Sequence, residues 1–112
     1  MKFLKMRLFI FSALTITSSV VWSWAGSISG TVQIIDVAPG ENYGFRVYLK
    51  DLPTMCGNTN NWAYVNESDS NYKTYVSVLL AAKMAGTPVV IFSERETVSG
   101  SGYCHIGYIS LR

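Results

Sequence analysis

The chain has 112 residues, with 49% hydrophobic and 14% charged residues and a formal net charge of +2. Three of the nine basic residues, Lys2, Lys5 and Arg7, sit in the first seven positions, so residues 26–112 hold six basic groups against seven acids, a net charge of −1. That balance leaves no basic stripe for neutralising phosphates, and a nucleic-acid partner is not expected.

The opening "MKFLKMRLFIFSALTITSSVVWSWAGS" reads as a secretory signal: a basic start, an apolar run from Leu8 to about Trp22, then Ser23 and Ala25 at the small-residue positions of a cleavage site. The run is short for a bilayer span, which takes about 20 apolar residues. The expectation is export to the periplasm or medium, cleavage after Ala25, no membrane span thereafter, and a single domain over residues 26–112. Two cysteines in an exported chain allow one intramolecular pairing, Cys56 with Cys104. Closing a loop of about 50 residues stabilises by roughly 4 kcal/mol in the chain-entropy account.

"SISGTVQIIDVAP" is rich in Ile, Val and Thr and predicts the first strand, with Gly30 marking a bend or bulge. "ENYGFRVYLKDL" alternates, with Tyr43, Phe45, Val47 and Leu49 on one face and Arg46, Tyr48 and Lys50 on the other. Pro39-Gly40 between the two runs suggests an antiparallel hairpin. "PTMCGNTNN" is a loop, and "WAYVN" a short aromatic strand. Ser68, Asp69 and Ser70 are suitable helix N-caps.

From Asn71 the period changes: Tyr72, Tyr75, Val76, Leu79, Leu80, Lys83 and Met84 follow helical spacing, and Gly86 and Pro88 end the helix. Tyr75, Val76, Leu79 and Leu80 are its expected core stripe. "PVVIF" predicts a fourth strand, "SERETVSGSG" a polar turn and "YCHIGYISLR" the last strand. The fold class is mainly β with one helix, in the order β-β-β-α-β-β, matching an OB-fold-like five-stranded Greek-key barrel whose open end the helix plugs. The alternative is an open antiparallel sheet with the helix across one face.

The segment "LLAAKMAGTPVVIFSE", Leu79 to Glu94, together with the order of strands, resembles the B subunits of the AB5 bacterial toxins, of the subtilase-cytotoxin and typhoid-toxin type. The resemblance implies an exported OB-fold domain that assembles into a pentameric ring and binds cell-surface glycans. The chain is also similar to small exported bacterial proteins without an assigned role.

Chemistry-bearing residues are few. Cys104 stands beside His105, the single histidine. A Cys–His nucleophile needs a free thiolate and zinc needs three or four ligands. The expectation is therefore a disulfide, no metal and no cofactor, with His105 facing opposite to Cys104. Glu94 and Glu96 sit two apart, about 7 Å on a strand, a spacing compatible with glycoside hydrolysis. They lie in a polar turn without an evident cleft, and no catalytic residue is assigned. Asn66-Glu67-Ser68 matches a glycosylation sequon.

The preferred ligand-binding stretch is "CGNTNNWAYVN". Sugars stack on aromatic rings while amides bind their hydroxyls, which points to Asn58, Asn60, Asn61, Trp62 and Tyr64. The function expected is a non-catalytic binding module, able to self-associate, that recognises a glycan or an exported protein. The alternative is a structural or accessory envelope protein.

Overall fold

The computed structural model describes residues 26–57 and 59–112. The expected signal segment, 1–25, and the candidate ligand residue Asn58 lie outside them. The elements are β1 (Gly26–Gly30), β2 (Val32–Val37), β3 (Phe45–Leu49), β4 (Ala63–Val65), α1 (Tyr72–Ala85), β5 (Val89–Arg95) and β6 (Cys104–Leu111). The fold is mainly β with one helix, as composition and periodicity suggest.

Six strands form rather than five. They make one curled, mixed sheet, a half-barrel, in the order β1-β5-β6-β4-β3-β2. The extra strand comes from the first Ile/Val/Thr run, which changes partner midway. Gly26–Gly30 pairs with β5, whereas Val32–Val37 pairs with β3. Only Thr31 separates the two ladders, and its carbonyl accepts the Lys50 N–H at 2.9 Å. The two edges of the sheet are thus one continuous stretch of chain. β4 and β6 pair in parallel, which departs from the wholly antiparallel alternative.

The β2–β3 hairpin forms as Pro39-Gly40 predicts, closed by Ala38 N–H to Gly44 O at 2.7 Å. Phe45, Val47 and Leu49 are buried on the core face. Tyr43 does not join them. Its φ of 62° breaks the strand alternation, and the next residue must be small, because a Cβ at Gly44 would meet the Ala38 carbonyl at 3.0 Å. Polar Ser93, Glu94 and Arg95 extend β5 instead of starting a turn, pairing with Ile106, His105 and Cys104.

The helix begins at Tyr72, but Ser68, Asp69 and Ser70 do not cap it. Asn71 holds that position in the left-handed region with no side-chain cap. Gly86 ends the helix at φ 69°, its N–H reaching the last carbonyls, as the sequence indicates. The buried stripe also differs from expectation: Leu79 and Ala82 are buried, Tyr72, Tyr75 and Val76 pack partly, and Leu80 and Met84 face outward at 44% and 87% exposure. The arc wide enough to touch the sheet is centred on Leu79, and Leu80 and Met84 lie past its edge. Tyr75 Oη donates to Gly107 O at 2.9 Å and Lys83 Nζ to Gln33 O at 2.9 Å. The helix therefore bridges β6 and β2, strands that do not neighbour each other in the sheet.

Cys56 and Cys104 form the expected disulfide, with Cα atoms 5.8 Å apart, and no free cysteine remains among the described residues. The bridge is buried in the core. Arg95 clamps the loop over it, donating from Nε to Cys56 O at 3.0 Å and from its terminal nitrogen to Gly57 O. Gly57 allows this approach: its φ is +65°, and a Cβ there would meet the guanidinium at 2.8 Å. Among the described residues no helix is long and apolar enough to cross a membrane.

Candidate functional site

Register sets up the site. Ala63 pairs with Cys104 and Tyr64 with His105 across the parallel β4–β6 ladder. Alternation sends Ala63 and Cys104 into the core and Tyr64 and His105 to the other face. Both faces of β4 are covered, the inner by aliphatics, the outer by rings. Tyr64 is only 1% exposed.

The rings over that outer face form a contiguous group. His105 stacks flat on Tyr64, 4.7 Å between centroids at 3°. Tyr43 meets Tyr64 and Tyr103 edge-on at 4.7 and 5.0 Å. Trp62 tilts against Tyr103 at 4.7 Å, and the Arg46 guanidinium covers one Trp62 face at 4.6 Å. Arg46 Nε also donates to Tyr43 O at 2.8 Å, holding that residue in its left-handed conformation. Such conformations cost about 1–3 kcal/mol and concentrate where function requires them.

A cleft of about 180 Å³ opens beside Tyr64 and His105. One wall is the β2–β3 loop, through Asn42 and Tyr43. The other is the β5–β6 loop, through Glu96, Val98 and Ser99, and Asn66 closes the end. Glu96 organises its loop. Oε2 accepts from the hydroxyls of Tyr43 at 3.1 Å, Ser99 at 2.8 Å and Ser101, and Oε1 accepts from the Ser99 N–H. These donors, Ser101 first, pull the Glu96 pKa down to about 2. Asn66 Oδ1 accepts the Tyr43 N–H at 2.8 Å, tying the far end of β4 to the hairpin loop.

The His105 ring donates from Nε2 to Asp69 Oδ2 at 2.7 Å, and the same oxygen accepts the Asn66 N–H at 2.8 Å. Asp69 thus fixes histidine and loop together instead of capping the helix. Tyr64 is different. Its hydroxyl has no hydrogen-bond partner among the described residues, although burial, with help from the Glu96, Tyr43 and Asp69 charges, keeps its pKa well above the usual tyrosine range. A buried hydroxyl left unpaired costs about 1–3 kcal/mol.

Two of the sequence candidates, Trp62 and Tyr64, belong to this aromatic face. Asn60 and Asn61 do not line the cleft. Asn60 is half-buried and gives its carbonyl to the Met55 N–H at 2.9 Å, so it shapes the disulfide loop. The amides at the cleft are Asn42 and Asn66. Tyr43 meets Asn66 and Glu96 across 23 and 53 residues of chain, and Asp69 meets His105 across 36, so no local motif announces them. Alternation did signal that His105 points away from the core. Among the described residues no three His, Cys, Asp or Glu side chains gather as metal ligands.

The chain matches no known protein family and no curated protein.

Proposed function

We propose that this protein is a non-catalytic binding module of OB type that recognises glycans through the cleft beside Tyr64. The observation that carries the reading is where the cleft lies. With β1 and β2 counted as one strand bent at Thr31, the chain follows the β-β-β-α-β-β order of a partly open Greek-key barrel. Such barrels bind oligosaccharides and oligonucleotides on the face of the second and third strands and with the loops joining strands one to two and four to five. Counted in that way, the β2–β3 and β5–β6 loops correspond to those two loops, and both wall the cleft. The acidic wall at Glu96 favours sugars over phosphate-bearing strands.

The resemblance of Leu79–Glu94 to toxin B subunits supports the fold of this reading, and glycan recognition in a ring of copies is what such a fold does in those subunits. Chemistry at Glu94 and Glu96 is a poor alternative, since the Glu96 carboxylate is held by the Ser99 and Ser101 donors of its own loop. A glycan array probed with the purified protein tests the reading. Binding to a defined group of glycans supports it, and a blank array with folded protein refutes it.

One observation favours a second reading, an exported accessory protein that docks another protein. The helix turns Leu80 and Met84 to solvent one turn apart. Sedimentation separates the two: a closed ring supports the toxin-like module, and a monomer that binds no glycan supports the accessory role.

A further inference from the structure

Resting on the glycan-binding reading, the cleft also restricts which sugars it accepts. We infer that it takes a single terminal pyranose without an acidic group, anchored by the Tyr64 hydroxyl, and rejects sialylated and sulfated ends. Size comes first. About 180 Å³ equals roughly six waters at about 30 Å³ each, room for one sugar ring and little more.

Charge comes second. No lysine or arginine lines the cleft. Arg46, the nearest guanidinium in the aromatic group, is turned to Trp62 and Tyr43 O. His105 directs Nε2 to Asp69. A sugar carboxylate or sulfate would enter beside the ionised Glu96 with no cation to offset it. The Glu96 carboxylate is turned to donors of its own loop, Ser99 and Ser101, and to the Tyr43 hydroxyl, so it brings negative charge to the cleft and no donor.

What the cleft still offers suits neutral hydroxyls. Tyr64 is nine-tenths buried and more, lines the cleft and lacks a partner for its hydroxyl among the described residues. Asn66 gives its Oδ1 to the Tyr43 N–H, and its NH₂ has no acceptor among the described residues. Asn42 stands exposed at the rim, and Val98 and the tyrosine rings supply apolar surface for C–H faces.

The test pairs one array with one variant. The array carries glycans ending in galactose, mannose, glucose or N-acetylglucosamine beside sialylated and sulfated counterparts. Calorimetry with the best-bound glycan then compares the native protein with Tyr64→Phe, alongside thermal melts. The expected result is binding to neutral ends alone, about tenfold weaker in Tyr64→Phe, with the melting temperature unchanged or higher because an unpaired hydroxyl is removed. Binding confined to sialylated or sulfated ends overturns this inference and leaves the glycan-binding reading standing. Neutral binding that Tyr64→Phe does not weaken, or a variant that melts markedly lower, overturns the anchoring role. A blank array overturns both.

Discussion

The two faces of β4 and β6 are built from neighbouring residues and put to opposite uses. On the inner face Ala63, Val65, Cys104 and Ile106 are closed off among aliphatics, and a disulfide fastens them to the loop at Cys56. On the outer face Tyr64 and His105 lie under rings and polar side chains at the edge of an open cleft. The inner face leaves no polar side chain of these strands to satisfy. The outer face keeps a buried hydroxyl without a partner among the described residues and a tyrosine at positive φ. The first face carries stability and the second the proposed recognition, so substitutions on each should separate the two properties.

The largest effect is expected from the clasp. Replacing Cys56 and Cys104 together by serine removes a cross-link spanning 48 residues, worth about 4 kcal/mol, and should lower the melting temperature by roughly 20 °C. Circular dichroism melts check this, and an unchanged midpoint would mean that the core holds the sheet without the bridge. Next, Leu79→Ala should cost about 3 kcal/mol, as buried leucine truncations do. Met84→Ala on the same helix should stay within about 0.5 kcal/mol. Equal losses in denaturant titrations would contradict the observed rotation of the helix.

The outer face should respond the other way. Tyr43→Phe removes the hydroxyl that reaches Glu96 and Ser99. It should shift stability by only about 1 kcal/mol while weakening glycan binding several-fold. The smallest effect concerns acid. The Glu96 pKa is lower in the folded protein than in the unfolded chain, so its contribution is complete above about pH 4.5 and fades as pH falls toward 2. Amide signals of Ser99 and Ser101 should move through that window and hold still above it.

How far the sequence speaks differs between the faces. The scaffold follows local rules. Alternation placed Phe45, Val47 and Leu49 inside, Gly86 and Pro88 stopped the helix, and cysteine count with a signal-like start paired the bridge. The split at Thr31 was visible only as a flexible Gly30, because a change of pairing partner leaves no mark in composition. The cleft was hardly legible. Trp62 and Tyr64 stood out as aromatics, but Asn60 and Asn61 went to loop structure. Tyr43, Glu96 and the His105–Asp69 pair meet only once the parallel ladder and two loops have formed, and contacts of that range carry no periodicity.

The claim that the outer face of β4 and β6 is the binding surface is tested most directly by nuclear magnetic resonance titration of the labelled protein with the best-bound neutral glycan. The expected shifts centre on Asn42, Tyr43, Asn66, Glu96, Ser99 and His105 and leave the helix at Leu80 and Met84 unmoved. Shifts gathered on the helix or around the disulfide loop, with the cleft silent, would contradict it.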